Sequence, residues 1–218
     1  MQGIRRTQSL LAVLFARRLI QRRRRVGVDA ESLVSIALGL SLSAACGFRV
    51  FVPLLAIGAA ARLGLVELSP GFSWMGATPA LIAFGTATLL EVAAYYIPWL
   101  DNFLDAAATP AAIIAGILAS AAVFVDMPPL VRWVVALVGG GGAAGLIQGA
   151  TVLLRIKSLA TTGGLGNPVV STAELAGSTV VSVLAIFVPI FCLVLLLVGT
   201  ILVFRSAGRI FFGRTPAS

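Results

Sequence analysis

Between Ala30 and Phe204 the chain carries five basic and seven acidic residues, and the remainder reads as apolar runs punctuated by glycine and proline. A soluble domain carries about 25% charged residues. Here the whole chain has 11%, with 59% hydrophobic residues and a mean hydropathy of +1.06. Water cannot solvate such a surface, so lipid must be the solvent for most of the chain. The expected fold class is all-α, a polytopic transmembrane helical bundle with a broken or re-entrant first segment. The expected organisation is a basic N-terminal extension over 1–30, a transmembrane domain over 31–204 and a basic C-terminal tail over 205–218.

The net charge of +8 invites a nucleic-acid reading, which fails once the charges are located. Eight arginines precede Asp29, and Arg205, Arg209 and Arg214 close the sequence. The basic charge thus sits in two tails flanking an apolar body, the pattern of cytoplasmic segments beside anionic lipid. Leu10–Phe15 is too short for a signal-peptide core and runs into further arginines. Residues 1–30 read either as a basic amphipathic helix on the inner leaflet or as an unstructured extension. Cys46 and Cys192 each lie in an apolar run and read as small buried hydrophobes. With no histidine in the chain, Ser-His and Cys-His catalysis drop out and a zinc site is disfavoured. The chain is expected to be no enzyme, to hold no metal and to need no cofactor.

Five apolar stretches follow. The first, Leu33 to Leu63, is interrupted at Cys46-Gly47-Phe48-Arg49 and again at Pro53. Each flank falls short of the roughly 20 residues that a bilayer crossing needs. Thr78-Pro79, Thr109-Pro110 and Asn167-Pro168 each pair a capping residue with a proline and mark helix starts. The third stretch either begins at Thr109 or extends back through Asp101. The fourth covers Leu130 to Leu154, and Lys157 to Gly166 reads as a polar, glycine-rich connection. The last, from Asn167 to Phe204, exceeds one crossing and must tilt, kink near Pro189 or project from the membrane. A re-entrant first stretch followed by four crossings puts both tails in the cytoplasm and leaves Arg155 and Lys157 facing outward, the arrangement the positive-inside rule favours.

Small residues recur at every fourth position in Gly39-Ser43-Gly47, Ala112-Gly116-Ser120 and Gly141-Gly145-Gly149. That spacing lets helix backbones approach closely in lipid. Gly140, Gly142 and Gly145 match a dinucleotide-binding glycine pattern, but inside a membrane helix they are packing glycines.

Ionisable groups at membrane depth are the informative ones, since each costs about 2.5–3.5 kcal/mol or more at a helix centre. Arg49 lies at the break beside Gly47, where backbone N–H groups also come free. A guanidinium next to such donors suits an anion. The alternative for Arg49 is a structural ion pair with Glu91 or Glu174. Those two carboxylates are candidates for counter-charge or proton carrier. Asp101 and Asp105 share one face of a short helix and could hold a proton or simply be a solvated helix end. Thr161 to Pro168 is either a second irregular segment, with Asn167 as a binding residue, or an ordinary surface loop.

Three motifs carry a family resemblance: Ser43-Ala44-Ala45-Cys46-Gly47-Phe48-Arg49-Val50-Phe51-Val52-Pro53, the run from Glu91 to Asn102, and Thr161 through Val170. Over roughly Glu31 to Phe204 the chain resembles a bacterial membrane family catalogued as domain of unknown function 4126. The resemblance implies a small multi-pass membrane protein with no established activity, and the first 30 residues depart from it. The order Gly47, Arg49, Phe51, Pro53 is also similar to the re-entrant loops of DedA-like lipid flippases, without the acidic proline-glycine motif that accompanies them. A broken helix with buried charge is the arrangement secondary transporters use. The functional expectation is therefore a small transporter or lipid flippase in a bacterial plasma membrane, N-terminus cytoplasmic. Its partners would be membrane lipid, a small anionic solute or head group and a second copy of the chain. Arg49, Gly47 and Asn167 would bind, and Glu91, Glu174, Asp101 and Asp105 would supply proton or counter-charge. The alternative is a non-transporting scaffold or assembly factor with the same charges holding the bundle together. A cavity reaching Arg49 would favour transport; a sealed and paired Arg49 would favour the scaffold.

Overall fold

A computed structural model describes residues 30–94, 98–163 and 165–212, with side chains described throughout those ranges except at 98–106, 203–204 and 206–212. The chain divides into two compact units, 1–33 and 34–218. Of the first, only the opening turn of one helix is described, so the N-terminal extension lies outside the described residues. Likewise Tyr95 and the side chains of Trp99, Asp101 and Asp105 lie outside them.

The described residues form helices and no strand. Helix α1 spans Ala30–Cys46, α2 Phe51–Arg62, α3 Thr78–Ala94 and α4 Pro98–Val123. Helix α5 is continuous over Pro129–Thr162, with a π-helical turn at Ala136–Gly140, and α6 and α7 span Asn167–Phe187 and Pro189–Phe212. By length and composition α5 and α6 can each cross a membrane, and a 3₁₀ turn at Pro70–Gly76 with α3 forms a third candidate span bent by 65°. Leucine, valine and phenylalanine lie exposed along α5 and α6 (Val138 is 70% and Phe187 66% exposed), while Arg49 and Glu174 are 2% and 5% exposed. Apolar residues outside and charges inside is the arrangement of a protein dissolved in lipid. The fold is a transmembrane helical bundle.

The first segment is broken, as expected, into helices of 17 and 12 residues, each shorter than a crossing. The break is single. Pro53 does not interrupt it but lies in the first turn of α2, where a missing N–H costs no intrahelical bond. Pro110 is likewise carried inside α4, so the third stretch is the longer of the two alternatives. Residues Lys157–Thr162, expected as a polar connection, are the last turns of α5. The helix ends at Gly163, whose φ of +62° lets its N–H reach the Leu159 carbonyl.

The final apolar stretch is two helices, not one long crossing. Val188 turns the chain ahead of Pro189, and the Cys192 thiol reaches back to the Val181 carbonyl at 3.6 Å. Eleven residues of straight helix would separate those two positions by about 16 Å, so α7 folds back against α6. Both cysteines are free and buried.

Small residues bring α1, α4 and α5 together. Ser43 Oγ lies 2.6 Å from both the Gly116 carbonyl and Ser120 Oγ, and Ser120 Oγ donates to the Gly39 carbonyl at 3.1 Å. A Cβ on Gly116 would stand 2.6 Å from that of Ala144 and 2.9 Å from the Gly140 carbonyl. Of the third glycine set only Gly141 and Gly145 face α4; Gly149 faces open space. Interhelical bonds in lipid are worth about 0.6 kcal/mol on average and up to about 1.7. Ser43→Ala, which removes the bonds to Gly116 and Ser120 and leaves Ser120 only its bond to Gly39, is expected to cost about 1 kcal/mol, read as a lower Tm in detergent.

Candidate functional site: a buried charge network at the helix break

A broken helix exposes carbonyls at one end and N–H groups at the other, and in lipid both must find partners. At the α1 end, Ser178 Oγ of α6 donates to the Ala45 carbonyl at 3.0 Å. At the α2 end, the backbone N–H groups of Val50 and Phe51 donate to the two carboxylate oxygens of Glu91, at 3.0 and 3.2 Å. Glu91 reaches across from α3, so one side chain caps a helix that supplies no capping residue of its own. The backbone N–H groups that come free at the break are thus both taken up by Glu91.

Arg49, between the two helices, points to α6. Its Nη2 donates to the Ser171 carbonyl at 2.7 Å and lies 3.7 Å from Glu174 Oε2. Glu174 is shared with a second arginine. Arg155 of α5 donates through Nε and Nη2 to the two Glu174 oxygens, the first bond being 3.1 Å. This bidentate fork is the strong form of the guanidinium–carboxylate pair. Arg155 is 8% exposed, whereas Lys157, two residues on, faces outward. The difference lies in the helix face: two residues along a helix turn the side chain by about 200°, onto the opposite face. Among the described residues the network sets two arginines against two carboxylates, and pairing of this kind is how buried charge is tolerated.

Beside the network lies a cavity of about 10 Å³, room for about one water molecule, lined by Glu91, Glu174, Arg155, Gln148, Thr151 and Phe48 among others. Arg49 is not in its wall. The Gln148 carboxamide, on a residue 7% exposed, forms no hydrogen bond with a described residue and opens on this space. Thr151 donates to the Gln148 carbonyl at 2.9 Å, leaving its own oxygen available to accept.

The structure brings Arg49, Glu91 and Glu174 together and adds Arg155, Gln148 and Ser171. Gly47 lies at the same break but faces α5: a Cβ there would stand 2.5 Å from the Ala144 carbonyl. Asn167 starts α6 one turn before Ser171; it makes no side-chain cap, and its Oδ1 has no hydrogen-bond partner. Residues 161–163 and 165 are exposed, so this stretch is a tight surface turn and not an irregular buried segment.

The model of the family described as domain of unknown function (DUF4126) matches residues 36–209. No curated protein and no solved structure matches the chain.

Proposed function

Since the chain belongs to the DUF4126 family, whose description names no activity, we propose from the site alone that it moves a small anion across the membrane, with the cavity between α3, α5 and α6 as the binding site. The carrying observation is that a carboxylate sits on the free N–H groups of a broken helix, beside a buried arginine that faces a cavity. Broken helices whose N-termini hold anionic groups serve this purpose in secondary transporters. Arg155, not Arg49, is the cation that faces the cavity. Arg49 ties the break to α6 and keeps the site in shape. Glu91 and Glu174 are the counter-charges and proton carriers. No catalytic step is part of this proposal. The basic tails support an N-terminus on the cytoplasmic side of the membrane.

The sealed, engaged position of Arg49 favours the alternative, a scaffold or assembly factor whose charges only lock the bundle. Reconstituted protein separates the two. For a transporter, anion flux exceeds that of protein-free vesicles, and Arg155→Lys lowers it while the bundle stays folded, because an ammonium cannot copy the fork. For a scaffold, wild-type vesicles show no flux, and Arg49→Ala lowers the Tm sharply.

A further inference from the structure

Helices α1 and α6 run antiparallel, and their contacts step along both in fours. Arg49, just past α1, stands against Glu174, its Nη2 3.7 Å from Oε2, and Ser178 Oγ donates to the Ala45 carbonyl at 3.0 Å. One further step pairs Ser41 with Ser182. A third helix places that pair independently. Cys192 of α7 donates its thiol to the Val181 carbonyl at 3.6 Å and neighbours the Ser41 hydroxyl. From Glu174 to Ser182 this polar seam follows α6 for about 12 Å. The next step in register, Ala37 with Ile186, is apolar and closes it.

The far end of the seam is unsatisfied. Ser41 is 0% and Ser182 1% exposed, and among the described residues neither Oγ has a hydrogen bond of normal geometry. A hydroxyl inside a helix can return its proton to the carbonyl one turn back, as Thr172, Thr179 and Thr200 do. Ser41 and Ser182 do not. Each such group raises the free energy of the closed seam relative to any arrangement in which water or a solute bonds it. At its other end the seam begins on Glu174, which also lines the cavity between α3, α5 and α6. One carboxylate thus stands between a space on one side and a closed polar track on the other.

We propose that the α1–α6 seam is the second, closed half of the anion pathway. The two helices part along it, Ser178 leaves the Ala45 carbonyl, and water reaches Ser41 and Ser182. The charge network then connects with the membrane face at which α6 ends. In the parted state the three hydroxyls line the route and donate to the passing anion, chemistry that suits a small oxyanion or halide. Helices that rock apart about a fixed central site are the usual form of alternating access. This deepens the transport proposal above and rests on it, naming the gate and the hydroxyls that the anion passes.

Nitrate flux into vesicles holding the full chain is the readout. In a background with Cys46 and Cys192 replaced by alanine, Ser41→Cys and Ser182→Cys are combined. Oxidation of that pair to a disulfide is expected to stop nitrate flux, and dithiothreitol to restore it. Ser182→Cys alone, in the same background, is expected to react with a charged, membrane-impermeant methanethiosulfonate while the protein stays folded, which a side chain sealed between helices cannot do. Ser182→Ala in the native chain removes an unbonded hydroxyl from the closed seam, and is expected to raise the Tm and slow flux about fivefold. This last variant keeps the test decisive if the cysteine variants do not fold. A cross-linked protein that carries nitrate as fast as the reduced one, an unreactive Ser182→Cys, or wild-type flux in Ser182→Ala overturns the seam as a gate and leaves anion transport standing. If folded wild-type protein moves neither nitrate, formate nor chloride faster than protein-free vesicles, the transport proposal falls and this one with it.

Discussion

Glu174→Leu is expected to be the most damaging single substitution among the charged residues. The Glu174 carboxylate accepts a bidentate pair from Arg155 and lies 3.7 Å from Arg49. Removing it takes from both buried guanidinium groups a carboxylate they share, while Glu91 already holds the α2 N-terminus. Breaking a buried ion pair by deleting one partner costs about 3–5 kcal/mol, because the surviving charge is left uncompensated. The measurement is the Tm in detergent, together with the yield of folded protein. The double variant Arg155→Met with Glu174→Leu removes both charges of the fork, and apolar replacement of a whole buried pair is often neutral. It is expected to recover most of the loss. A Glu174→Leu protein as stable as wild type would show that this carboxylate does not hold the arginines together.

The same network shows what the sequence made legible and what it hid. Membrane residence, the broken first segment and the special position of Arg49, Glu91 and Glu174 all follow from charge placed against apolar background, because each buried charge is costly enough to demand a partner. The partner itself was harder to see. Arg155 stands next to Lys157 near a helix end, and charge counting puts such a pair in the interface. The signal lay in spacing. Gln148, Thr151 and Arg155 recur at i, i+3 and i+7 on an otherwise apolar helix, and Ser171, Glu174, Ser178 and Ser182 do the same on α6. Two polar stripes of helical period in lipid have to face one another. All but one of these residues are less than 8% exposed, and Arg155 is 8% exposed. Element ends were misread for a related reason. A proline within the first turn, as at Pro53, and a proline between well-packed neighbours, as at Pro110, leave no mark in sequence that separates them from a true break. The length of the last apolar stretch left three outcomes open, a tilt, a kink near Pro189 or a projection from the membrane, and the turn at Val188 lies beside the second of them. The direction of that turn depends on the contact of Cys192 with Val181, which spacing alone does not encode.

Gly47→Ala is expected to have the other large effect, through shape and not through charge. The would-be Cβ stands 2.5 Å from the Ala144 carbonyl oxygen, 2.7 Å from Ile147 Cβ and 3.0 Å from the Gln148 backbone nitrogen. None of the three is the end of a flexible side chain, so relief requires α1 or α5 to move bodily. Overpacking of this kind costs about 1–3 kcal/mol, and a bulkier Gly47→Val more. Gly85→Ala and Gly142→Ala, which meet nothing within 4 Å, serve as helix controls and are expected to leave the Tm unchanged or raised by removing backbone freedom. The consequence reaches the site because the displaced turn carries Gln148, and Arg155 follows two turns later on the same helix. Gly47 thus acts on the cavity without touching anything in it, by setting how closely α5 approaches the break. Thermal unfolding and nitrate flux should fall together in Gly47→Ala and should both be spared in the two controls. If Gly47→Ala keeps the wild-type Tm yet loses flux, Gly47 contacts the transported anion directly and its packing role is the lesser one.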